Sequence, residues 1–360
     1  MSYSQGLRLE NMMNVAFIYK MSIPSHVPRR ALYSREEGAI VFVGRKRNPV
    51  EPIVSVKDLV KRYGSAVALD HFTLEIAPGE IFGLLGPNGS GKTTAINCIL
   101  QLLTYDRGEI CLFGQPMTQT RYDLKRRIGI VPQNIAVFEE LSVQQNIDYF
   151  CSLYVQDAAE RKQLVKRAIE FVGLEDYTRA RPKKLSGGLL RRLNIACGIA
   201  HRPELIFLDE PTVAVDPQSR ASILDGIKQM NAEGSTIVYT SHYMEEVEEI
   251  CTRIMIMDKG HTLACGTNEE LKALVAAGEK IIIEADVSEA ALIKLRSLPH
   301  ALRVEYESGR LEVVCENAEH NVADVLDALS VARIKPGRIW AEPPTLNDVF
   351  LEITGRELRD

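Results

Sequence analysis

Short apolar runs closed by polar turns alternate along the chain with segments of helical period, and this alternation predicts an α/β fold. Leu205-Ile206-Phe207-Leu208 is wholly apolar and ends in Asp209 and Glu210, which predicts a strand buried on both faces with its acids at the carboxyl edge of a sheet. Ile81-Phe82-Gly83-Leu84-Leu85 and the β-branched run Thr236 to Thr240 predict two further strands. Thr94 to Leu102 suits a helix, and Leu189 to Ala200 is apolar at helical period with Ser186 as its N-cap. Upstream, Ile53 to Ile76 alternates as half-buried strands do and closes in the turn Ala77-Pro78-Gly79-Glu80. Asn134 to Pro182 is helix-rich, with Ser142 placed to cap one of its helices.

Beyond Ala276-Ala277-Gly278, which has the composition of a hinge, the pattern changes. Lys280 to Ala285 predicts a strand, Ser288 to Leu298 a helix, and Leu302 to Glu307 with Arg310 to Cys315 a hairpin turning at Ser308-Gly309. Asn321 to Leu329 predicts a second helix and Arg338 to Ala341 a last strand. That β-α-β-β-α-β order is the ferredoxin-like split unit. A final helix is marked by the capping pair Thr345 and Asp348, by Leu346, Val349, Phe350 and Ile353 on one face, and by Gly355 at its end. Plain packing within the C-terminal domain is the expected role of Phe350 and its neighbours.

Composition limits the class of protein. With 360 residues, 46% hydrophobic and 25% charged, the chain has ordinary globular usage and exceeds what one core serves. Three segments are expected: a basic leader at 1–50, a large α/β domain at 51–275 and a C-terminal domain at 279–360. No run approaches the roughly 20 apolar residues that span a bilayer. The seven cysteines are scattered without a Cys-x-x-Cys pair, which suits a reducing cytoplasm and neither zinc nor a disulfide framework. The leader carries eight Lys or Arg against three acids. Its apolar piece Val15 to Tyr19 is too short for a signal-peptide core. It reads as a disordered or loosely attached extension, the product of a start upstream of a functional one at Met21, with a basic tail lying on anionic lipid as the alternative.

The chemistry is densest between Gly86 and Thr93, which read Gly-Pro-Asn-Gly-Ser-Gly-Lys-Thr. Gly86, Gly89 and Gly91 permit the backbone angles and closeness that let N–H groups of Asn88-Gly89-Ser90-Gly91, in the turn that Pro87 opens, and of the helix start at Lys92, Thr93 and Thr94 converge on phosphate oxygens. Lys92 would hold the terminal phosphates, and Thr93 would place its hydroxyl on magnesium. Asp209 fits the magnesium partner, and Glu210 is placed to polarise an attacking water. Taken alone, the acid pair reads equally as a solvated strand end. With Lys92 located 117 residues upstream of Asp209, the pair reads as part of the same nucleotide site.

Leu185-Ser186-Gly187-Gly188 completes a set that resembles the nucleotide-binding subunits of ATP-binding cassette transporters, in which Leu-Ser-Gly-Gly is the signature motif. The resemblance covers residues 53 to 355. It implies a P-loop cassette with a mixed sheet and a helical subdomain, joined to a small C-terminal α+β domain. It implies ATP and magnesium as ligands, Tyr63 stacking on adenine, and Gln133 reaching magnesium and water. Asp216 would join the two active sites across a dimer, and His242 would contact the γ-phosphate. It implies further that Ser186, Gly187 and Gly188 act on nucleotide held by a second subunit, since this chain has one phosphate loop and one signature. Two departures stand out: Leu189 replaces the frequent glutamine after the signature, and Val213-Ala214-Val215 replaces the usual Ser-Gly-Leu before Asp216.

Pro344 to Gly355 resembles the tail of cassette ATPases from exporters of drugs, antibiotics, polysaccharides or lipids. The function implied is an ATPase at the cytoplasmic face of the membrane, dimeric, energising a separate permease that meets it at Phe138, Glu139, Glu140 and Leu141. Two alternatives are an importer ATPase and a soluble cassette protein acting on nucleic acid or ribosomes. Charge opposes the second: residues 279–360 hold 16 acids against 10 Lys or Arg, a net of −6, where nucleic acid calls for a basic face.

Overall fold

The computed structural model describes residues 41–42, 51–275, 277–316 and 321–354. The leader apart from Val41–Phe42, Ala276 of the expected hinge and the helix stop at Gly355 lie outside the described residues.

The strands are β1 (Val41–Phe42), β2 (Val54–Tyr63), β3 (Ala66–Ile76), β4 (Ile81–Leu85), β5 (Arg107–Leu112), β6 (Gln115–Pro116), β7 (Ile128–Val131), β8 (Leu205–Asp209), β9 (Thr236–Ser241), β10 (Arg253–Asp258), β11 (His261–Gly266), β12 (Ala277–Glu284), β13 (Ala301–Glu307), β14 (Arg310–Glu316) and β15 (Ile339–Glu342). The helices are α1 (Lys92–Ile99), α2 (Tyr122–Lys125), α3 (Val143–Ser152), α4 (Ala158–Phe171), α5 (Gly187–Ile199), α6 (Pro217–Ala232), α7 (Met244–Ile250), α8 (Asn268–Lys272), α9 (Glu289–Arg296), α10 (Asn321–Val331) and α11 (Leu346–Thr354). Helix α1 starts two residues earlier than its apolar period predicts, directly after Gly91. It also ends earlier, because Gln101 turns left-handed at φ 57°.

The central sheet runs β1-β11-β10-β4-β9-β8-β7, with β10, β4, β9, β8 and β7 parallel and β11 antiparallel to β10. Its apolar runs are apolar because both faces are covered. Ile206, Leu208, Ile237 and Tyr239 face one core with α3 to α7, while Leu205, Phe207, Val238, Phe82 and Leu84 face the other. That second core is shared with α1 and the antiparallel sheet β3-β2-β5-β6. The register pairs Asp209 with Thr240 and Leu85 with Ser241. The ends of β4, β8 and β9 therefore meet at one carboxyl edge, the usual ligand side of a parallel sheet.

The C-terminal sheet has the order β13-β14-β12-β15, all antiparallel, with α9 and α10 closing an aliphatic core on one face. This is the ferredoxin-like arrangement. Two expectations need correction. Ala277 and Gly278 belong to β12 and not to a hinge, because they extend its pairing with β14 to Glu316. Leu346, Val349 and Phe350 do not pack within the C-terminal sheet's core. They are buried in the large core of the central sheet, with α11 lying against α7 and α8. The start of α11 is tied to α7 as well: Leu346 N–H donates to Glu248 Oε1 at 2.6 Å.

Candidate functional site

The phosphate loop leaves β4 at Leu85 and enters α1 at Lys92. Gly91 caps that helix with φ 108°, and a Cβ there would stand 2.8 Å from the Ala68 carbonyl oxygen. At Gly86 a Cβ would stand 2.3 Å from the Met257 carbonyl oxygen, so neither position accepts a side chain. Gly89 turns at φ 79° and faces open space. The result is a tight turn of backbone amides at a helix N-terminus, the geometry that binds phosphate. Ser90 Oγ is buried at this turn.

Lys92 is buried, and its ammonium donates to the carbonyls of Gly86 at 2.8 Å and Pro87 at 3.2 Å, with Glu210 Oε1 at 3.3 Å. Burial pulls its pKa down, opposed by Glu210 and then Asp209. Thr93 Oγ1 donates to Asp209 Oδ2 at 2.9 Å, and Thr240 Oγ1 to Asp209 Oδ1 at 2.7 Å. Burial raises the Asp209 pKa, while these two hydroxyls work against the rise. Thr240 thereby does a task that the sequence reading did not assign to it. The signal was its position opposite Asp209, which needs the register to be seen.

Glu210 is the point where the site converges. It is buried, and its backbone stands in the left-handed region at φ 46°, a conformation that costs about 1–3 kcal/mol for a residue with a side chain. Its N–H donates to Thr240 Oγ1 at 2.9 Å, which helps hold the turn. Its Oε2 accepts from Gln133 Nε2 at 3.0 Å and lies 3.4 Å from His242 Nδ1. Lys92, Gln133 and His242 thus surround one carboxylate, having come from the loop after β4, the end of β7 and the end of β9.

Gln133 is positioned from α5. Arg191, buried, donates to the Gln133 carbonyl at 2.8 Å and the Pro132 carbonyl at 3.3 Å. Asn194 donates to the Pro132 carbonyl at 3.2 Å and accepts from Ala136 N–H at 3.0 Å. The sequence reading missed both. Arg191, Asn194 and Gly198, three and then four residues apart, interrupt the apolar face of α5, and a Cβ on Gly198 would stand 2.5 Å from the Ile130 carbonyl oxygen. Beyond Gln133, buried Asn146 holds Phe138 by its N–H at 2.8 Å and its carbonyl at 3.0 Å. Phe138 is 43% exposed and packs edge-on against Tyr149 at 4.9 Å between ring centres. Glu139 pairs with Lys183 at 2.9 Å, and Glu140 is exposed.

Several expected residues stand apart from this cluster. Ser186 caps α5 by accepting from Leu189 N–H at 3.3 Å, and Ser186 and Gly187 are exposed. Gly188 is buried against α6, where a Cβ would stand 2.5 Å from Ser219 Oγ and 3.0 Å from Asp216 Oδ2. Asp216 caps α6 by accepting from Ser219 N–H at 2.9 Å, a bond that lowers its pKa. Leu189 turns its side chain toward the core, and the variant loop puts Ala214 at φ 58°. Tyr63 is half exposed beside Lys61, whose ammonium is 5.1 Å from the ring centre.

Thr93, Asp209 and Gln133 offer oxygen donors of the kind that suits a hard cation such as magnesium. The pairing of the Thr93 hydroxyl with the Asp209 carboxylate at 2.9 Å brings two such donors together, so the residues fit the ion.

Comparison with known proteins agrees with this geometry. Residues 69–213 match the family model described as ABC transporter, and residues 266–354 match the C-terminal domain of DrrA1-3-like ATP-binding proteins. The linearmycin resistance ATP-binding protein LnrL of Bacillus subtilis (strain 168) is 38% identical, over 86% of this chain and 100% of its own. The Nod factor export ATP-binding protein I of Cupriavidus metallidurans is 36% identical over 86% and 99%. The daunorubicin resistance ATP-binding protein DrrA3 of Streptomyces coeruleorubidus is 33% identical over 85% and 97%. Among solved structures, an ATP-binding subunit of an ABC transporter superposes with a TM-score of 0.57 at 26% identity, covering 62% of this chain and 92% of its own. A dimeric ATP-binding cassette in a post-hydrolysis state, bound to ADP and phosphate, gives 0.55 at 26% identity, covering 59% and 98%.

Proposed function

Because the chain belongs to the ABC transporter family, in the branch of export and drug-resistance ATP-binding proteins, we propose that it binds and hydrolyses ATP to energise a separate membrane permease for export. The observation that carries this reading is the convergence of Lys92, Gln133 and His242 on the buried Glu210 carboxylate at the mouth of the phosphate loop.

In the proposed cycle the backbone N–H groups of Asn88 to Thr94 and the Lys92 ammonium bind the ATP phosphates, and Tyr63 stacks on the adenine. Glu210 orients the attacking water and takes its proton, while Gln133 and His242 fix the carboxylate and face the γ-phosphate. Magnesium, held by Thr93 and Asp209 with Gln133 nearby, supplies charge neutralisation when bound. Thr240 keeps Asp209 and Glu210 in register.

Ser186 and Gly187 are exposed at the start of α5, where the Ser186 oxygen accepts from Leu189 N–H and leaves its O–H to donate, which supports a role on the nucleotide of a second copy of this chain. Asp216, packed beside Gly188, would lie at that contact. Among the described residues no helix is long and apolar enough to cross a membrane, so the permease is a separate protein in this reading, docked at Phe138 to Leu141 on the cytoplasmic face.

A mixing experiment tests the shared site. Ser186→Arg and Lys92→Ala chains should each be inactive alone, and mixing them should recover part of the phosphate release, because one heterodimer site keeps both an intact loop and an intact signature. Normal hydrolysis by purified Ser186→Arg would refute the shared site. Co-purification with a multi-spanning membrane protein, and not with ribosomes or DNA, decides for the exporter.

A further inference from the structure

Glu246, one helical turn beyond His242 on α7, is buried at 3% exposure and takes no part in the cycle above. Three hydroxyls converge on its Oε2: Tyr239 at 2.6 Å, Thr212 at 2.8 Å and Ser241 at 3.0 Å. Its Oε1 faces Arg220 Nε at 3.2 Å. Burial and the neighbouring carboxylate push the Tyr239 phenol well up, so the phenol stays a donor.

The partners of Glu246 lie beside the proposed catalytic groups. Thr212 follows Glu210 by two residues. Ser241 precedes His242, and its Oγ also accepts the Tyr243 N–H at 2.9 Å, so His242 is bracketed by residues tied to one hydroxyl. Arg220 lies on α6, the helix capped by Asp216, and its guanidinium sits 4.7 Å from the Tyr243 ring centre. A carboxylate buried at the base of the helix, with its cationic partner Arg220 reaching it from a partly exposed position, is an expensive way to fill space, and an apolar side chain would pack there at lower cost. What the carboxylate provides is a common anchor for three segments: the turn after β8, the end of β9 and the first turn of α6.

We infer that Glu246 is a positioning residue for hydrolysis, setting the His242 to Glu210 separation through Ser241 and Thr212 and joining both to α6 through Arg220. The inference rests on the reading of Glu210 and His242 proposed above. A residue that only stabilised the fold would change activity in proportion to the folded fraction. One that positions the two groups changes kcat in fully folded protein while ATP affinity holds.

The test uses the full-length chain with steady-state ATP hydrolysis, nucleotide affinity and thermal melting. Glu246→Ala should lower kcat by about 100-fold. Glu246→Gln, whose amide oxygen can still accept from the hydroxyls, should lower it only about tenfold, with KM for ATP within about twofold in both. Ser241→Ala leaves no charge stranded and isolates the link to His242; it should lower kcat about fivefold with KM unchanged. Wild-type kcat in Ser241→Ala, or a loss in the Glu246 variants that only follows the unfolded fraction, would overturn the inference. So would a raised KM at preserved kcat. Glu210→Gln serves as the reference. If it is inactive while the Ser241 and Glu246 variants run at the wild-type rate, only the positioning role falls. If Glu210→Gln itself hydrolyses normally, the reading beneath it falls.

Discussion

The carboxyl edge of the central sheet and the C-terminal sheet are built on opposite terms. At the edge of β4, β8 and β9, Lys92, Asp209, Glu210, Thr240, Ser241 and Glu246 are all buried, each satisfied by another member of the group or its loop. The C-terminal sheet closes its core with Ile281, Ile283, Leu311, Val313 and Leu329, and among its described residues Asn321 alone is polar and buried. An aliphatic core gains from every atom it removes from water. A buried polar cluster gains little net stability and fails when one member is lost. The first arrangement serves folding, and the second serves chemistry at the expense of tolerance.

That contrast breaks most visibly at Lys92. Lys92→Ala should reduce phosphate release by at least about 100-fold and weaken ATP binding. It should also destabilise the ligand-free protein by about 3–5 kcal/mol, because Glu210 and Asp209 would stay buried without their cation. Phosphate-release assays and chemical denaturation measure the two effects, and an undiminished stability would mean that the carboxylates do not depend on the lysine.

Helix α11 sharpens the comparison because its position in the chain and its packing disagree. Phe350 follows the C-terminal sheet but lies in the large core of the central one. Phe350→Ala should cost about 3–5 kcal/mol and lower the midpoint at which ATP binding is lost on heating. A mutation confined in effect to the C-terminal sheet would leave that midpoint unchanged.

His201 gives the smallest effect at neutral pH. Its ring stacks on Tyr154 at 3.8 Å and bonds to the Ile128 carbonyl, and burial pushes its pKa from 6.5 down to about 4. The folded state therefore binds this proton less tightly than the unfolded chain. Stability is complete above pH 6.5 and falls as pH drops toward 4, by up to about 3 kcal/mol. His201→Phe should keep the stack and flatten that part of the pH profile in urea titrations, with little change at pH 7.

How much could be read from the sequence follows from how local each signal is. The phosphate loop, the Asp209–Glu210 pair and the β-α-β-β-α-β order are contiguous patterns, and the strands and helices they predict are present within a few residues. Ser142 and Ser186 cap helices as expected, since capping depends on neighbours in sequence. Arg191, Asn194, Thr240 and Glu246 were missed because their roles exist only across elements. Glu246 is one of four glutamates in a six-residue stretch, Glu245 to Glu249 with Met244 before them, and only packing singles it out. The tail was misplaced for the same reason: an amphipathic face shows that a helix packs but not against what.

Glu210 is the group on which the proposed hydrolysis depends most directly. Purified Glu210→Gln, compared with wild type by sizing in ATP and by phosphate release, should bind ATP, accumulate as an ATP-bound dimer and release phosphate at least about 100-fold more slowly. Phosphate release near the wild-type rate would contradict the assignment of Glu210 at the centre of this site.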